Sequence, residues 1–387
     1  MSFDVVAEGH RFRATFPSAA YDRGALSASL AQLARGVTPS LHDDGGGSAT
    51  LELTGEPELV REEASNLFAR VNGYPTYEPG LLRGFRNAAA PLVSCIVLLP
   101  FNDLFARNVI LPSIIANSGP HPIEIIIVFA GFGVDRAPFA HLRQLDSELT
   151  CISKGYNAGV RQARGEFVAL FHDDCYVDDP AWIDKALAAL RDDVVAVTPE
   201  FDSWQAVPVG KAVPLVARRA DFLRLGGYDE YYYAGVEDMD LTVAIISSGA
   251  RQAKVDIRYR HLRGMGTSLI VHEHPHRLKL LYGYQILPAA TIAHVHRDMM
   301  LRLVGNGFVR MLEGDYHLHF LDKFGPLLAE RFAVDVARMR YAYELMRHPY
   351  LLTPYLPYLT NRTALLEAYR ALMNVDDLMR PLEPALA

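Results

Sequence analysis

Apolar positions along this chain follow two rhythms. Through the middle, short and almost wholly apolar runs alternate with amphipathic stretches. After residue 275 the apolar positions recur at helical spacing. Val93–Leu99 and Ile123–Phe129 are apolar at nearly every position, which predicts strands buried on both faces. Residues 106–117 between them read as a helix, with Pro112 inside it as a potential kink. A helix over 157–163 ended by Gly165, a strand over 166–171 and a helix over 180–190 opened by Pro180 follow. Val194–Thr198 reads as a strand, and 238–248 as a helix ended by Gly249. Strand and helix in alternation predict an α/β fold with a doubly wound sheet. Upstream, 11–16 alternates, 25–33 looks helical and 43–48 is a turn. There, 49–54 is a strand and 58–71 an amphipathic helix, together a small α/β unit. Residues 79–91 look like a linker. Downstream, 277–304, 324–347 and 363–379 read as helices, and 350–358 as irregular. The expected organisation is an N-terminal unit with linker over 1–90, an α/β module over 91–270 and a mostly helical region over 271–387.

Composition narrows the class without naming a function. The chain has 387 residues, of which 50% are hydrophobic and 21% charged. Its mean hydropathy is +0.06. These values fit an ordinary globular protein and exclude disordered, collagen-like and coiled-coil classes. The net charge of −7 argues against a dedicated nucleic-acid binder. Three cysteines, Cys95, Cys151 and Cys175, stand at unrelated spacings and read as reduced thiols. The apolar runs 91–101 and 123–134 fall short of the roughly 20 residues that a membrane span needs. With no leader pattern at residues 1–4, these features predict a cytoplasmic protein with no transmembrane segment.

Candidate chemistry gathers where an open α/β sheet presents its ligands, beyond the carboxyl ends of its strands. The strand 166–171 runs directly into His172-Asp173-Asp174-Cys175. Carboxylates with an imidazole suit a hard divalent cation, and the imidazole favours Mn²⁺ over Mg²⁺. A polar turn capping the next helix is the alternative. A second cluster is Gly226-Gly227-Tyr228-Asp229-Glu230, followed by Glu237-Asp238-Met239-Asp240-Leu241. Acids at the start of a helix complement its dipole, and the same carboxylates could serve as a general base. His261 lies in a stretch with Gly264 and Gly266. The histidine pairs 272/274/276, 294/296 and 317/319 have a spacing of two, which suits hydrogen-bonded or surface residues better than metal ligands. Tyr228, Tyr231, Tyr232 and Tyr233 could face a sugar or pack on the helical region.

The ordered series of these pieces resembles glycosyltransferase family 2, the inverting, nucleotide-sugar-dependent enzymes with a GT-A-type fold. The family's first strand and P-x-Y-N turn correspond to Val93–Leu99 and Pro100-Phe101-Asn102. Its E-I-I-V-V strand corresponds to Glu124-Ile125-Ile126-Ile127-Val128. Its N-x-G and A-x-G-E-Y correspond to Asn157-Ala158-Gly159 and Ala163-Arg164-Gly165-Glu166-Phe167. Its D-x-D-like motif falls on His172-Asp173-Asp174. Its G-G-F-D-E and E-D-x-D-L fall on the second cluster, and its H-x-x-G-x-S falls near His261. The resemblance covers roughly residues 91–270. It implies a nucleoside-diphosphate sugar donor and a glycan or other hydroxyl acceptor. It implies a Mn²⁺ or Mg²⁺ ion held by Asp174, with His172 and His261 as further ligands. It implies Asp238 as base with Glu237 beside it, and Pro100, Phe101, Asn102, Asn157 and Asp173 around the nucleotide. The acid that usually ends the second strand is absent, and Phe129 could stack on the base instead. Two rival readings are an inactive homologue acting as a binding or assembly module, and a nucleotidyltransferase. The latter lacks its glycine-rich loop after the first strand. Either appendage could mediate self-association, and the tail could touch a membrane surface.

Overall fold

The computed structural model describes residues 4–8, 11–17, 30–33, 36–43, 48–57, 59–60, 63, 66–67, 75–78, 80–99, 106–130, 136–147, 152–173, 175–211, 213–232, 235–261 and 308–346. The first four strands are β1 (Asp4–Glu8), β2 (Arg11–Pro17), β3 (Val37–Asp43) and β4 (Ser48–Gly55). They form an antiparallel sheet in the order β1-β2-β4-β3. The described positions between 57 and 67 are helical, with Val60 and Leu67 buried. The expected helix at 25–33 lies mostly outside the described residues.

The stretch expected to be a plain linker has more structure than that. A single helical turn, α1 (Leu81–Gly84), forms within it. Asn87 then closes a two-way hydrogen-bond pair with Ile125, accepting from its N–H at 2.7 Å and donating to its carbonyl at 3.1 Å.

The central sheet is built on β5 (Val93–Leu99) and β6 (Ile123–Phe129), each buried along its whole length. A buried aliphatic side chain contributes about 1.5–3 kcal/mol, so these two strands anchor the molecule. Around them stand β7 (Arg143–Asp146), β8 (Phe167–His172), β10 (Val194–Thr198), β13 (Leu215–Arg218) and β14 (Arg251–Lys254). The order is β14-β10-β13-β8-β5-β6-β7. All neighbours pair in parallel except β13, which is antiparallel to both β10 and β8. Two small ribbons complete the described strands: β9 (Cys175–Val177) with β15 (Tyr259–His261), and the hairpin β11 (Phe201–Trp204) with β12 (Val207–Gly210).

Helices cover the sheet. The expected helix at 106–117 divides, because Pro112 has no N–H to give to a continuous ladder. A π-helical turn at Ala106–Ile110 passes into α2 (Leu111–Ala116), with Pro112 in its first turn. Helix α3 (Ile152–Gln162) lies close on the sheet through its glycines. A Cβ at Gly155 would stand 2.4 Å from Leu98 Cδ1, and one at Gly159 2.5 Å from Ile96 Cγ2. Then come α4 (Trp182–Ala189), α5 (Arg219–Arg224) and α6 (Glu237–Ser247). The helical region contributes α7 (Phe308–Phe332), which runs through Pro326, and α8 (Val336–Met346). The single helix expected over 324–347 is therefore two, broken where Ala333 adopts φ 53°. The helices expected at 277–304 and 363–379 lie outside the described residues. Among the described residues no helix is long and apolar enough to cross a membrane.

Candidate active site

The sheet order sets the location. The chain leaves β5 for β6 and β7 on one side, then returns to β8 on the other, so the order reverses between β5 and β8. Ligands of open α/β sheets bind at such a switch point, beyond the carboxyl ends. There Leu98 of β5 pairs with His172 of β8. Pro100, Phe101 and Asn102 follow β5 but lie outside the described residues. Asp173 follows β8 and is buried at 3% exposure. Asp174 lies outside the described residues, and Cys175 opens β9.

The pairing of β9 with β15 sets His261 directly opposite Cys175. Paired residues across an antiparallel ladder have Cα atoms about 4.5–5.5 Å apart, so the His261 backbone stands beside that of Cys175. Sequence separation gave no hint of this contact. Of the His261 side chain nothing is described. Among the described residues no three His, Cys, Asp or Glu side chains stand close enough to hold a metal. The ladder nonetheless brings the His261 backbone to Cys175, three residues after His172, and imidazole is a donor that divalent cations accept.

A column of aromatic rings leads from this corner to the second acidic cluster. His172 meets Tyr156 of α3 edge-on, with centroids 5.6 Å apart. Tyr156 meets Tyr228 at 5.8 Å. The Tyr228 hydroxyl is raised well above its ordinary value, first by burial and then by the nearby charges of Glu237 and Asp238. Asn157, expected near the nucleotide, holds this turn together. Its Nδ2 donates to the Tyr228 carbonyl at 2.7 Å and to Glu230 Oε1 at 3.0 Å, and its Oδ1 accepts the Tyr228 N–H at 3.0 Å. Gly227 makes the approach possible: its φ is +70°, and a Cβ there would stand 2.4 Å from Asn157 Oδ1. Phe129, expected to stack on a base, is core. It is 2% exposed, packs on Phe139 and has the Arg136 guanidinium 4.2 Å from its ring centroid.

Glu237 and Asp238 open α6, where the helix dipole favours negative charge. The residue before them, Val236, offers no side-chain cap. Glu237 accepts the Gly235 N–H, and Asp238 accepts the Met239 N–H at 2.8 Å. Both reach the backbone as capping acids do, yet both are held above the ordinary carboxylate range. Burial is the main cause for Glu237, and the adjacent Asp238 adds to it. Burial also dominates for Asp238, opposed by Lys211 and reinforced by Asp202. Like charges in one desolvated turn cannot both ionise freely.

Sequence reasoning missed the residues that surround this pair. Lys211 and Asp202 form an ion pair at the β11–β12 hairpin, and nothing in the sequence pointed there. Helix α7 crosses the same cluster. Lys323 Nζ reaches Asp229 Oδ2 at 2.9 Å and Asp240 Oδ2 at 2.5 Å. His319 Nε2 lies 2.9 Å from Asp229 Oδ2, and Tyr232 donates to Asp240 at 2.9 Å. His319 and Lys323 stand one helical turn apart, and that i,i+4 pattern was the available signal. Tyr231 stacks on His319 at 4.2 Å, so the described tyrosines of this loop pack on the helical region. Tyr233 lies outside the described residues.

Comparison with known proteins agrees with the motif series. Residues 142–230 match the sequence model of glycosyl transferase family 2. No curated protein matches the sequence. Among solved structures, the mannosyltransferase PcManGT from Pyrobaculum calidifontis, in complex with GDP-Man and Mn²⁺, is 17% identical. The alignment covers 82% of this chain and 96% of that one, at a TM-score of 0.37. S. aureus TarS 1–349 is 14% identical over 75% of this chain and 93% of that one, at a TM-score of 0.36.

Proposed function

We propose that this glycosyltransferase, which carries the family 2 segment, moves a sugar from a nucleoside-diphosphate sugar to an acceptor hydroxyl with inversion. The observation that carries the reading is the aromatic column from His172 through Tyr156 and Tyr228 to Glu237 and Asp238. It joins a cation-suited corner at the switch point to a pair of acids, Glu237 buried and Asp238 half-buried, with raised proton affinity. A donor diphosphate would lie at the first and an acceptor hydroxyl at the second.

In this reading Asp238 takes the acceptor proton. The acceptor oxygen bonds the anomeric carbon from one side, and the bond to the diphosphate breaks on the other with its electron pair. A base works best when its proton affinity is poised near the working pH, and burial moves Asp238 toward that condition. The charge of Asp238 in turn adds to the burial that raises Glu237 beside it. Asp174, His172 and His261 would hold a Mn²⁺ or Mg²⁺ ion, and Asp173 would face the nucleotide. When bound, that ion supplies Lewis-acid stabilisation of the leaving diphosphate. Asn157 fixes the turn between the two halves of the site. The acceptor is a glycan or another hydroxyl compound, and the empty place of the second-strand acid leaves the donor base open.

Thermal shift with a panel of nucleoside diphosphates plus Mn²⁺ tests this reading, followed by turnover of the matching nucleotide sugars. At least one diphosphate should raise the melting temperature, and Asp174→Ala should abolish the shift. Asp238→Asn should keep the shift and lose turnover. If no diphosphate binds with Mn²⁺, the chain is not a nucleotide-sugar enzyme.

A further inference from the structure

The two acids assigned to chemistry sit in a segment that is tied at both ends to one remote side chain. Asp229 precedes the segment and Asp240 lies within it, in the first turn of α6. Lys323, from the middle of α7, bridges the two at 2.9 and 2.5 Å. The Asp240 carboxylate is 4% exposed, that of Asp229 26% and the Lys323 side chain 31%, so the Asp240 end of the tie is buried and the Asp229 end is partly open to solvent. Around it, His319 also holds Asp229, Tyr232 also holds Asp240, and Tyr231 donates to Asp315. The rings of Tyr231 and Tyr232 pack on Tyr316 and His319 of α7. Burial pushes Asp229 up, yet the hydrogen bonds from Lys323 and His319 outweigh it and hold the carboxyl at about 2. Asp229 is therefore an ionised anchor and no rival for the base.

We propose that Lys323, supported by His319, is a positioning residue for the reaction: it joins Asp229 to Asp240 and so fixes the helical turn that presents Glu237 and Asp238. The helical region is then part of the active site rather than an appendage to it. Asp238 stands two residues before Asp240 on α6. A turn freed at Asp240 moves Asp238 relative to whatever it deprotonates. Misplacement of a reacting group by about 1 Å costs on the order of a hundredfold in rate. The hydrogen bonds of the tie run between α7, the 229–232 turn and α6, so donor affinity is expected to be spared. The catalytic part of the proposal rests on the transfer reading above; the mechanical part does not.

The test compares Lys323→Met, Lys323→Arg and a control, Arg340→Ala, which breaks an exposed pair between α8 and Asp322, the residue beside Lys323 on α7. Lys323→Met should lower kcat about a hundredfold with donor KM within about twofold. Lys323→Arg should recover most of that loss, and Arg340→Ala should match the parent. If Lys323→Met fails to fold, Lys323→Met with Asp240→Asn removes the buried charge imbalance and takes its place. Hydrogen exchange supplies the readout that needs no substrate. Amides of 237–241 should exchange at least about tenfold faster in Lys323→Met, while those of Val93–Leu99 stay unchanged. Unchanged exchange at 237–241, a kcat no lower than that of Arg340→Ala, or a loss confined to KM overturns the proposal. A parent protein inactive on every nucleotide sugar sinks the transfer reading, and the exchange measurement then decides the tie alone.

Discussion

Two buried glutamates, at opposite ends of the central sheet, meet burial in opposite ways. Glu124 sits at the amino end of β6 with its side chain fully buried. It accepts from Ser94 at 2.7 Å, from the Arg164 N–H at 2.7 Å and from Arg164 Nε at 3.0 Å, and Arg143 stands 3.4 Å away. Burial alone would raise it, but these donors outweigh burial and hold it below the ordinary carboxylate range. Glu237, beyond the carboxyl end, is about as buried, yet its neighbour is another acid and the donors that reach it are backbone N–H groups, Gly235 among them, with no side-chain cation. It is held above that range. Burial does not distinguish a working carboxylate from a structural one. The identity of the partners does, and an acid left without a cation in a closed site is the one that chemistry has a use for.

The sharpest way to break this contrast is Asp238→Asn, which should lower kcat about a thousandfold while leaving the fold intact, measured by turnover and circular dichroism. A retained kcat would move the base elsewhere. Glu124→Gln should do the reverse. It removes a charged acceptor from buried Ser94 and Arg164, costs about 2 kcal/mol in urea unfolding and leaves kcat/KM unchanged. The pH slopes should also oppose each other. Glu124 binds protons less readily folded than unfolded, so its contribution is present above the ordinary carboxylate value and is lost as pH falls through its depressed folded value. Glu237 and Asp238 bind protons more tightly folded. Their ionisation therefore withdraws stability as pH rises from the ordinary range through their raised values. Glu237→Gln should flatten the decline in stability between the ordinary carboxylate range and about pH 7, and Glu124→Gln the loss at more acid pH. Identical slopes in both variants would show that the two environments are not different. The smallest effect is expected at Arg251→Gln, which breaks an exposed pair with Asp193 at the far edge of the sheet and should change neither melting temperature nor turnover.

How much of this was legible follows from where each residue gets its instructions. Val93–Leu99, Ile123–Phe129 and Val194–Thr198 have the bounds that their apolar runs predict, because both faces of each are buried and every position carries the signal. The strands β7, β11 and β14 have half-buried or exposed patterns and four residues each, too short and too mixed to stand out. The acids of the site were readable because Glu237 and Asp238 stand together at a helix start. Lys323 was not, since its partners lie 94 and 83 residues away and only folding brings them together. Asn157 was noticed as part of a motif, but its work for the Tyr228 turn could be seen only in three dimensions. Phe129 misled for the opposite reason. A ring at the end of a strand looks available until Arg136 is found over it.

The ladder between β9 and β15 also turns the chain between them into a closed loop. Everything from Asp178 to Arg258, including β10, the hairpin, β13 and α6, leaves and re-enters the molecule through adjacent backbones. Closing a longer loop costs only about 0.6 kcal/mol for each doubling of its length. An exposed turn within this stretch, such as the β11–β12 hairpin tip, can therefore accept added residues while the stem stays shut and His261 keeps its place opposite Cys175. The arrangement is that of a cassette on a fixed mount, whose outer face can be rewritten without disturbing the corner where it is fastened.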